Sequence, residues 1–246
     1  MNELNRAQPQ QAERSDVARA KGPLRPRDAA TLILLERKGD EVFVLMGRRS
    51  ARHAFMPGKF VFPGGRTDPA DSRIGVVAGL HPDEEATLRA GPGRMSAARV
   101  RAIALSAIRE TYEEAGLLIG RSGAFATTKR DWQGFVEHDV QPSLDTVRFI
   151  ARAITPPGRV RRFDTRFLSM WRSDVAKALP EGGPTNELEE LVWLTLGQAR
   201  NADIPGITRT ILEELENRLA VDPLLRPGGK VPFFRLVGKR YVRDLL

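Results

Sequence analysis

Between Ser96 and Gly116 lies a stretch whose apolar residues recur every three to four positions, and it limits the fold more than any other part of the chain. Ser96 follows the Gly91-Pro92-Gly93 break and suits an N-cap, because its hydroxyl can accept from a first-turn N–H that has no helical partner. Gly116 suits the left-handed residue that ends a helix. The spacing predicts a helix from about Ala97 to Ala115, with Val100, Ile103, Ala104, Ala107, Ile108 and Thr111 on its buried face. A one-faced helix needs a second layer to cover that face.

Strands supply the layer. Residues 29–37 and 41–48 are two apolar, β-branched segments separated by Lys38-Gly39-Asp40, the pattern of a hairpin. Further strands are predicted at 59–62, from Leu117, at 146–154, at 163–171 and at 188–194, and residues 232–242 form a strand-like tail. A short helix is predicted over 130–137, and a long one over 207–219 from the stripe Ile207, Ile211, Leu212, Leu215 and Leu219. Residues 66–95 carry Pro, Gly and acidic residues with only a short helical candidate at 83–90, and they are expected to be an insertion or lid outside the core. Hairpins mixed with two long helices, rather than strict βαβ alternation, predict an α/β (α+β) fold with a mixed sheet between helices.

The chain has 246 residues, enough for one elaborated domain over residues 28–246. Residues 1–27 have no apolar period and are expected to be a disordered basic tail rather than a signal peptide. The absence of cysteine excludes a disulfide framework and a thiolate zinc site, and makes the cytoplasm the expected compartment. No stretch has the roughly 18 continuous apolar residues of a membrane helix. A net charge of +8 suits an anionic partner; with no nucleic-acid module in the sequence, a small polyphosphate is expected in preference to nucleic acid, and no membrane partner. A homodimer stays open.

The chemistry concentrates at the end of the 97–115 helix. Residues three and four apart are neighbours on a helix, so Glu110, Glu113 and Glu114 crowd together, with Arg109 one turn before Glu113. One arginine cannot neutralise three carboxylates, and hard oxygen ligands in that number suit Mg²⁺ or Mn²⁺. The bland alternative is a solvated acidic face, as Glu213, Glu214 and Glu216 offer elsewhere. That second run lacks the other half of the pattern: an apolar strand, Phe60 to Phe62, entering Pro63-Gly64-Gly65, where backbone can approach a ligand closely.

Strand, glycine turn and the run Arg109-Glu110-Thr111-Tyr112-Glu113-Glu114-Ala115-Gly116-Leu117 together resemble the signature of the Nudix hydrolases. That signature is a glycine, five residues, a glutamate, seven residues, then Arg-Glu-aliphatic-any-Glu-Glu-any-Gly-aliphatic. Here 43 residues separate Gly65 from Arg109, Thr111 replaces the aliphatic residue, and counting back from Arg109 puts Arg101 in the slot of the early glutamate. An insertion at this place resembles the branch that includes peroxisomal coenzyme A diphosphatase-like proteins, as do Ser50, Gly58 and the segment from Thr155 to Phe167, although Ala54 stands where that branch has an arginine.

The resemblance implies an α/β/α sandwich and Mg²⁺- or Mn²⁺-dependent hydrolysis of a pyrophosphate bond. The substrate would be a nucleoside diphosphate linked to another group, such as coenzyme A, acyl-coenzyme A, ADP-ribose or a second nucleotide. It implies metal ligands at Glu110, Glu113, Glu114 and the Gly65 carbonyl, and catalytic roles for Arg109, Glu113 and Glu114. Glu187 is the first choice for a general base, with Glu181 and Glu137 as alternatives. Arg49, Arg52, Gly64 and Gly65 are candidates for substrate binding, as are Arg48, Arg161, Arg162 and Arg166; Phe55, Phe167 or Trp171 could stack on a base. His53, His81 and His138 have no ligand spacing. Arg101 in the glutamate slot raises the alternative of a catalytically silent nucleotide-sensing or partner-binding module.

Overall fold

The computed structural model describes residues 24–50, 57–91, 95–185 and 187–246. In chain order the strands β1 (Arg27–Lys38), β2 (Glu41–Arg49), β3 (Phe60–Val61) and β4 (Gly64–Arg66) come first. Helices α1 (Pro82–Arg89) and α2 (Ala97–Ala115) follow, then β5 (Leu117–Ile119), β6 (Arg121–Ser122), α3 (Gln133–Glu137) and β7 (Val140–Gln141). The second half holds β8 (Arg148–Ile154), β9 (Phe163–Trp171), β10 (Val175–Ala178), β11 (Leu188–Thr195), α4 (Leu196–Asn201) and α5 (Gly206–Val221). It closes on β12 (Pro232–Val237) and β13 (Arg240–Leu245).

The main sheet runs β11-β2-β1-β9-β8-β12-β13, with β3 against β2 and β4 against β1. It is mixed: β1–β9 and β8–β12 are parallel and the remaining pairs antiparallel. Successive side chains on a strand face opposite ways, and the two faces of β1 and β2 feed separate cores. Leu32, Leu34 and Leu45 join Val100, Ile103, Ala107 and Ile108 of α2. Ile33, Leu35, Val44 and Met46 join Ile211, Leu212 and Leu215 of α5. The result is the α/β/α sandwich expected from the resemblance.

The predicted caps of α2 are present: Ser96 accepts from the Arg99 N–H at 3.2 Å, and Gly116 takes φ 67°. A side chain at Gly116 would also meet the backbone of Gly182, so this helix end is closed by both conformation and contact. Thr111 keeps its place on the buried face because its hydroxyl donates to the Ala107 carbonyl at 2.8 Å.

Three expectations need correction. The 66–95 segment is no lid: Ile74, Leu88 and Met95 lie in the α2 core, and buried Glu84 accepts from the N–H groups of Phe149 and Gly228. The strand-like tail is a hairpin, β12–β13, turning at Gly238. The expected N-terminal tail lies outside the described residues up to residue 23, and Arg27 already pairs in β1.

Candidate active site at the glycine turn

The turn and the helix meet because β4 pairs with the start of β1, with Ala30 opposite Gly65 and Thr31 opposite Gly64, while α2 packs across β1. The Gly64 N–H donates to Glu114 Oε2 at 2.9 Å. The Glu110 carboxylate lies so close over Gly65 that a Cβ there would overlap it. A residue with any side chain would push the acid off the turn, which is the physical reason for glycine at this position.

Arg109 organises the acids from below. It is buried, and its Nη1 stands 2.9 Å from both Glu110 Oε1 and Glu113 Oε2, while Nε donates to Asp71 Oδ2 at 3.2 Å. Burial opposes its charge, but Glu110, Asp71 and Glu113 outweigh that and raise its pKa further. The acids are frustrated in return. Burial pushes Glu113 up to about 7, with the charges of Glu110 and Asp131 adding to it against Arg109. Burial likewise drives Glu114 far above the carboxylate range; Gly64 and Arg49 oppose this, and the charges of Glu110 and Glu187 reinforce it. Glu110 is raised by burial against the pull of Arg109.

Asp71 is the site residue that sequence reasoning missed. Counted forward from Gly65 it stands after five residues, in the slot where the Nudix pattern has its early glutamate. Its carboxyl is buried, paired with Arg109 and accepting from Trp132 Nε1 at 2.9 Å; burial raises it against both partners. The insertion therefore follows position 71 instead of preceding the slot. Arg101, which backward counting put there, donates instead to the Ser72 and Ile74 carbonyls and clasps the insertion to α2.

Glu187 and Arg49 complete the cluster from the β2–β11 side. Arg49 Nη2 donates to Glu187 Oε2 at 3.3 Å, and the Glu187 charge reaches Glu110 and Glu114. The buried Arg49 Nε has no hydrogen-bond partner among the described residues. Arg52, with His53 and Phe55, lies outside the described residues.

The other candidates fall elsewhere. Arg48 turns to Glu190 and over the Phe60 ring. Arg166 is fully buried between Asp28 and Asp164, so it is structural, and Arg162 holds the Thr155 and Leu24 carbonyls. Phe167 is core, and Trp171 lies under Arg37. Glu181 is exposed in the loop after β10, and Glu137 ends α3 on the Tyr112 side of α2. His81 caps α1, and His138 stands 3.2 Å from Lys177 Nζ.

No three His, Cys, Asp or Glu among the described residues already close around one point as a metal-ligand set. Glu110 and Glu113 turn onto Arg109, and Glu114 onto Gly64. The donors still fit a hard divalent cation, because they are all oxygens and hold more buried negative charge than Arg109 balances.

No family model matches the chain. A Nudix hydrolase from Alicyclobacillus acidocaldarius superposes with a TM-score of 0.56 at 24% identity, over 77% of this chain and 90% of that one. The chain has the Nudix fold. Weaker likenesses include the NUDIX domain of Shewanella oneidensis NrtR complexed with ADP ribose, at TM-score 0.47 and 10% identity over 80% of this chain and 90% of that one. A Nudix hydrolase from M. Smegmatis, RenU, gives 0.45 and 16% over 84% and 99%. Within this Nudix fold Gly65, Asp71 and Arg109 are separated in sequence by the insertion but joined in space, with Glu110 over Gly65 and Asp71 paired with Arg109 on the helix that ends at Gly116.

Proposed function

We propose that this chain hydrolyses the pyrophosphate bond of a nucleoside diphosphate linked to another group, using Mg²⁺ or Mn²⁺ held by Glu110, Glu113, Glu114 and the Gly65 carbonyl. The observation that carries the reading is the joint placement of Glu110 over Gly65 and Glu114 on the Gly64 N–H, with the unpartnered Arg49 Nε beside them. A divalent ion at such oxygens neutralises phosphoryl charge and acidifies an attacking water.

The chain's own groups do the rest. Arg109 fixes Glu110 and Glu113 through charge-assisted hydrogen bonds and is itself fixed by Asp71. Arg49 offers its free Nε to a phosphoryl oxygen, with Arg52 as a second phosphate contact. Glu187 takes the proton from water as general base, a choice supported by the reach of its charge to Glu110 and Glu114. Asp71 in the early acidic slot removes the motive for a silent sensing module.

Coenzyme A, acyl-coenzyme A, ADP-ribose and dinucleotides are the substrates to compare, in a cytoplasmic setting and with no role for nucleic acid. The test is a panel of these compounds with Mg²⁺ or Mn²⁺, wild type beside Glu114→Gln. Metal-dependent release of nucleotide is expected from wild type, with turnover reduced on the order of a hundredfold or more in a variant whose circular dichroism is unchanged. Absence of metal-dependent cleavage across the panel overturns the reading.

A further inference from the structure

The C-terminal hairpin leaves the main sheet with an open edge: β13 pairs with β12, and among the described residues no strand lies beyond it. The two ends of the hairpin fix which of its backbone groups are already bonded. Val237 stands opposite Arg240 across the two-residue turn Gly238-Lys239, and just beyond both strands Leu246 and Val231 exchange N–H···O=C bonds of 2.9 and 3.5 Å. Hydrogen-bonded pairs alternate along an antiparallel ladder, so Arg240, Val242 and Asp244 bond inward to β12. The N–H and C=O groups of Tyr241, Arg243 and Leu245 therefore point outward, and none of these residues has a backbone bond outside the hairpin among the described residues.

Such an edge is a template for another strand, and charged side chains commonly blunt it. On β13 the charges are instead complementary to themselves. A second copy of β13 laid antiparallel must set outward residues against outward residues, which leaves only every second register. With Val242 opposite its own copy, Arg240 faces Asp244 and Tyr241 faces Arg243, each twice. One step of the register to either side opposes Arg243 to Arg243 or Lys239 to Arg243, and the next opposes Asp244 to Asp244 or Arg240 to Arg240. Like charges directly opposite are destabilising, so one register stands out.

The side chains are set for that register. Arg235 donates from Nε (3.0 Å) and Nη2 (2.8 Å) to Oδ2 of Asp244, which leaves Oδ1 without a partner among the described residues on a side chain 39% exposed. Arg240 has no ion pair or hydrogen bond from its side chain among the described residues. On the other face Glu214 holds the Arg243 guanidinium with two bonds, of 2.6 and 2.8 Å, while Tyr241 is 61% exposed. Opposed in two copies, that cation and that ring attract. The far edge of the sheet offers no such match, because the charged residues of β11, Glu189 and Glu190, are both acidic.

We infer that the partner of this edge is a second copy of this chain, joined antiparallel through β13 about a two-fold axis at Val242, so that two nine-stranded sheets run into one. The same patch meets itself, and the assembly closes at two copies. A pair of six-residue strands is small for an interface, so association in the micromolar range is expected. No residue of the acid cluster lies on β12 or β13, and the inference is independent of the hydrolytic reading.

Sedimentation equilibrium of the full chain across the micromolar range decides, with Arg240→Glu and Asp244→Lys run alone and as an equimolar mixture. Each variant alone opposes like charges twice and should weaken association about tenfold or more. In the mixture the introduced acid meets the introduced base, and Asp244 of the first variant meets Arg240 of the second, so most of the wild-type association should return as heterodimer. A misfolded variant could not give that recovery. A wild-type chain that stays monomeric throughout, variants that associate as wild type does, or a mixture no stronger than its parts overturns the inference. Growth beyond two copies overturns it as well, because it would mean open-ended pairing of β13 with β11.

Discussion

Gly65 tests whether the turn matters by shape or by flexibility. It is absent from the positive-φ positions, so alanine fits its backbone, and what a Cβ would meet is the movable end of Glu110. Gly65→Ala should therefore fold with a stability loss under about 1 kcal/mol, while displacement of the carboxylate by roughly an ångström lowers turnover about tenfold to a hundredfold. Thermal melts and kcat measured together check it; a melting point that falls as steeply as turnover would show the glycine to be structural. The acids beside it were legible because three glutamates at helical spacing after an arginine follow a strand that enters a glycine turn, a combination that the run Glu213, Glu214 and Glu216 lacks. Asp71 was not, because its partner Arg109 lies 38 positions away and nothing local marks an aspartate that accepts from Trp132. Counting forward from Gly65 was the available signal. Glu114 is buried because β4 closes over it, which the helix alone cannot reveal.

At the scale of elements, strands and helices with a long period were read to within a few residues, as β1, β2, β9, α2 and α5 show. The short strands β4, β6, β7 and β10 were missed because two to four residues carry no alternation, and their pairing is decided by distant partners. The 66–95 insertion was misjudged for a related reason: its acids look like loop composition, yet Glu84 accepts from the Phe149 N–H of β8 and Asp71 pairs with Arg109 of α2. The start of β1 is bound by charge. Asp28 pairs with Arg99 at 2.6 Å and with the fully buried Arg166 at 2.9 Å. Burial alone would raise its carboxyl, but the hydrogen bonds and charges of the two arginines outweigh it and hold the pKa below its ordinary value. A depressed folded-state pKa contributes stability above the unfolded value of about 3.9, and that contribution is lost as pH falls through the folded value. Asp28→Asn should thus cost about 2 to 3 kcal/mol at pH 7, and the gap from wild type should narrow in acid once the pH falls below the unfolded value of about 3.9. Urea melts across pH decide; a gap that is constant with pH would mean that shape, not charge, holds the strand.

For the whole molecule, the acid cluster is where elements far apart in sequence meet: β4, the end of α2, the end of β2 and the loop before β11. An ion bound there bridges both halves of the chain, so its binding energy becomes stability of the folded state as a whole. The net charge of +8 argues against cation binding only at long range. At physiological salt that field is screened within about 8 Å, and the local carboxylates decide. Mg²⁺ at a hundred times its dissociation constant should stabilise the fold by about 2.7 kcal/mol. In a chain of this size that raises the melting temperature by about 5–10 °C. A chelator should reverse the shift, NaCl at equal ionic strength should not produce it, and the double variant Glu110→Gln, Glu114→Gln should lose it without losing the fold. A shift of the same size in the double variant would place the ion elsewhere and remove the metal from the acid cluster. Because the readout is melting and not turnover, the outcome judges the cation site independently of any choice of substrate.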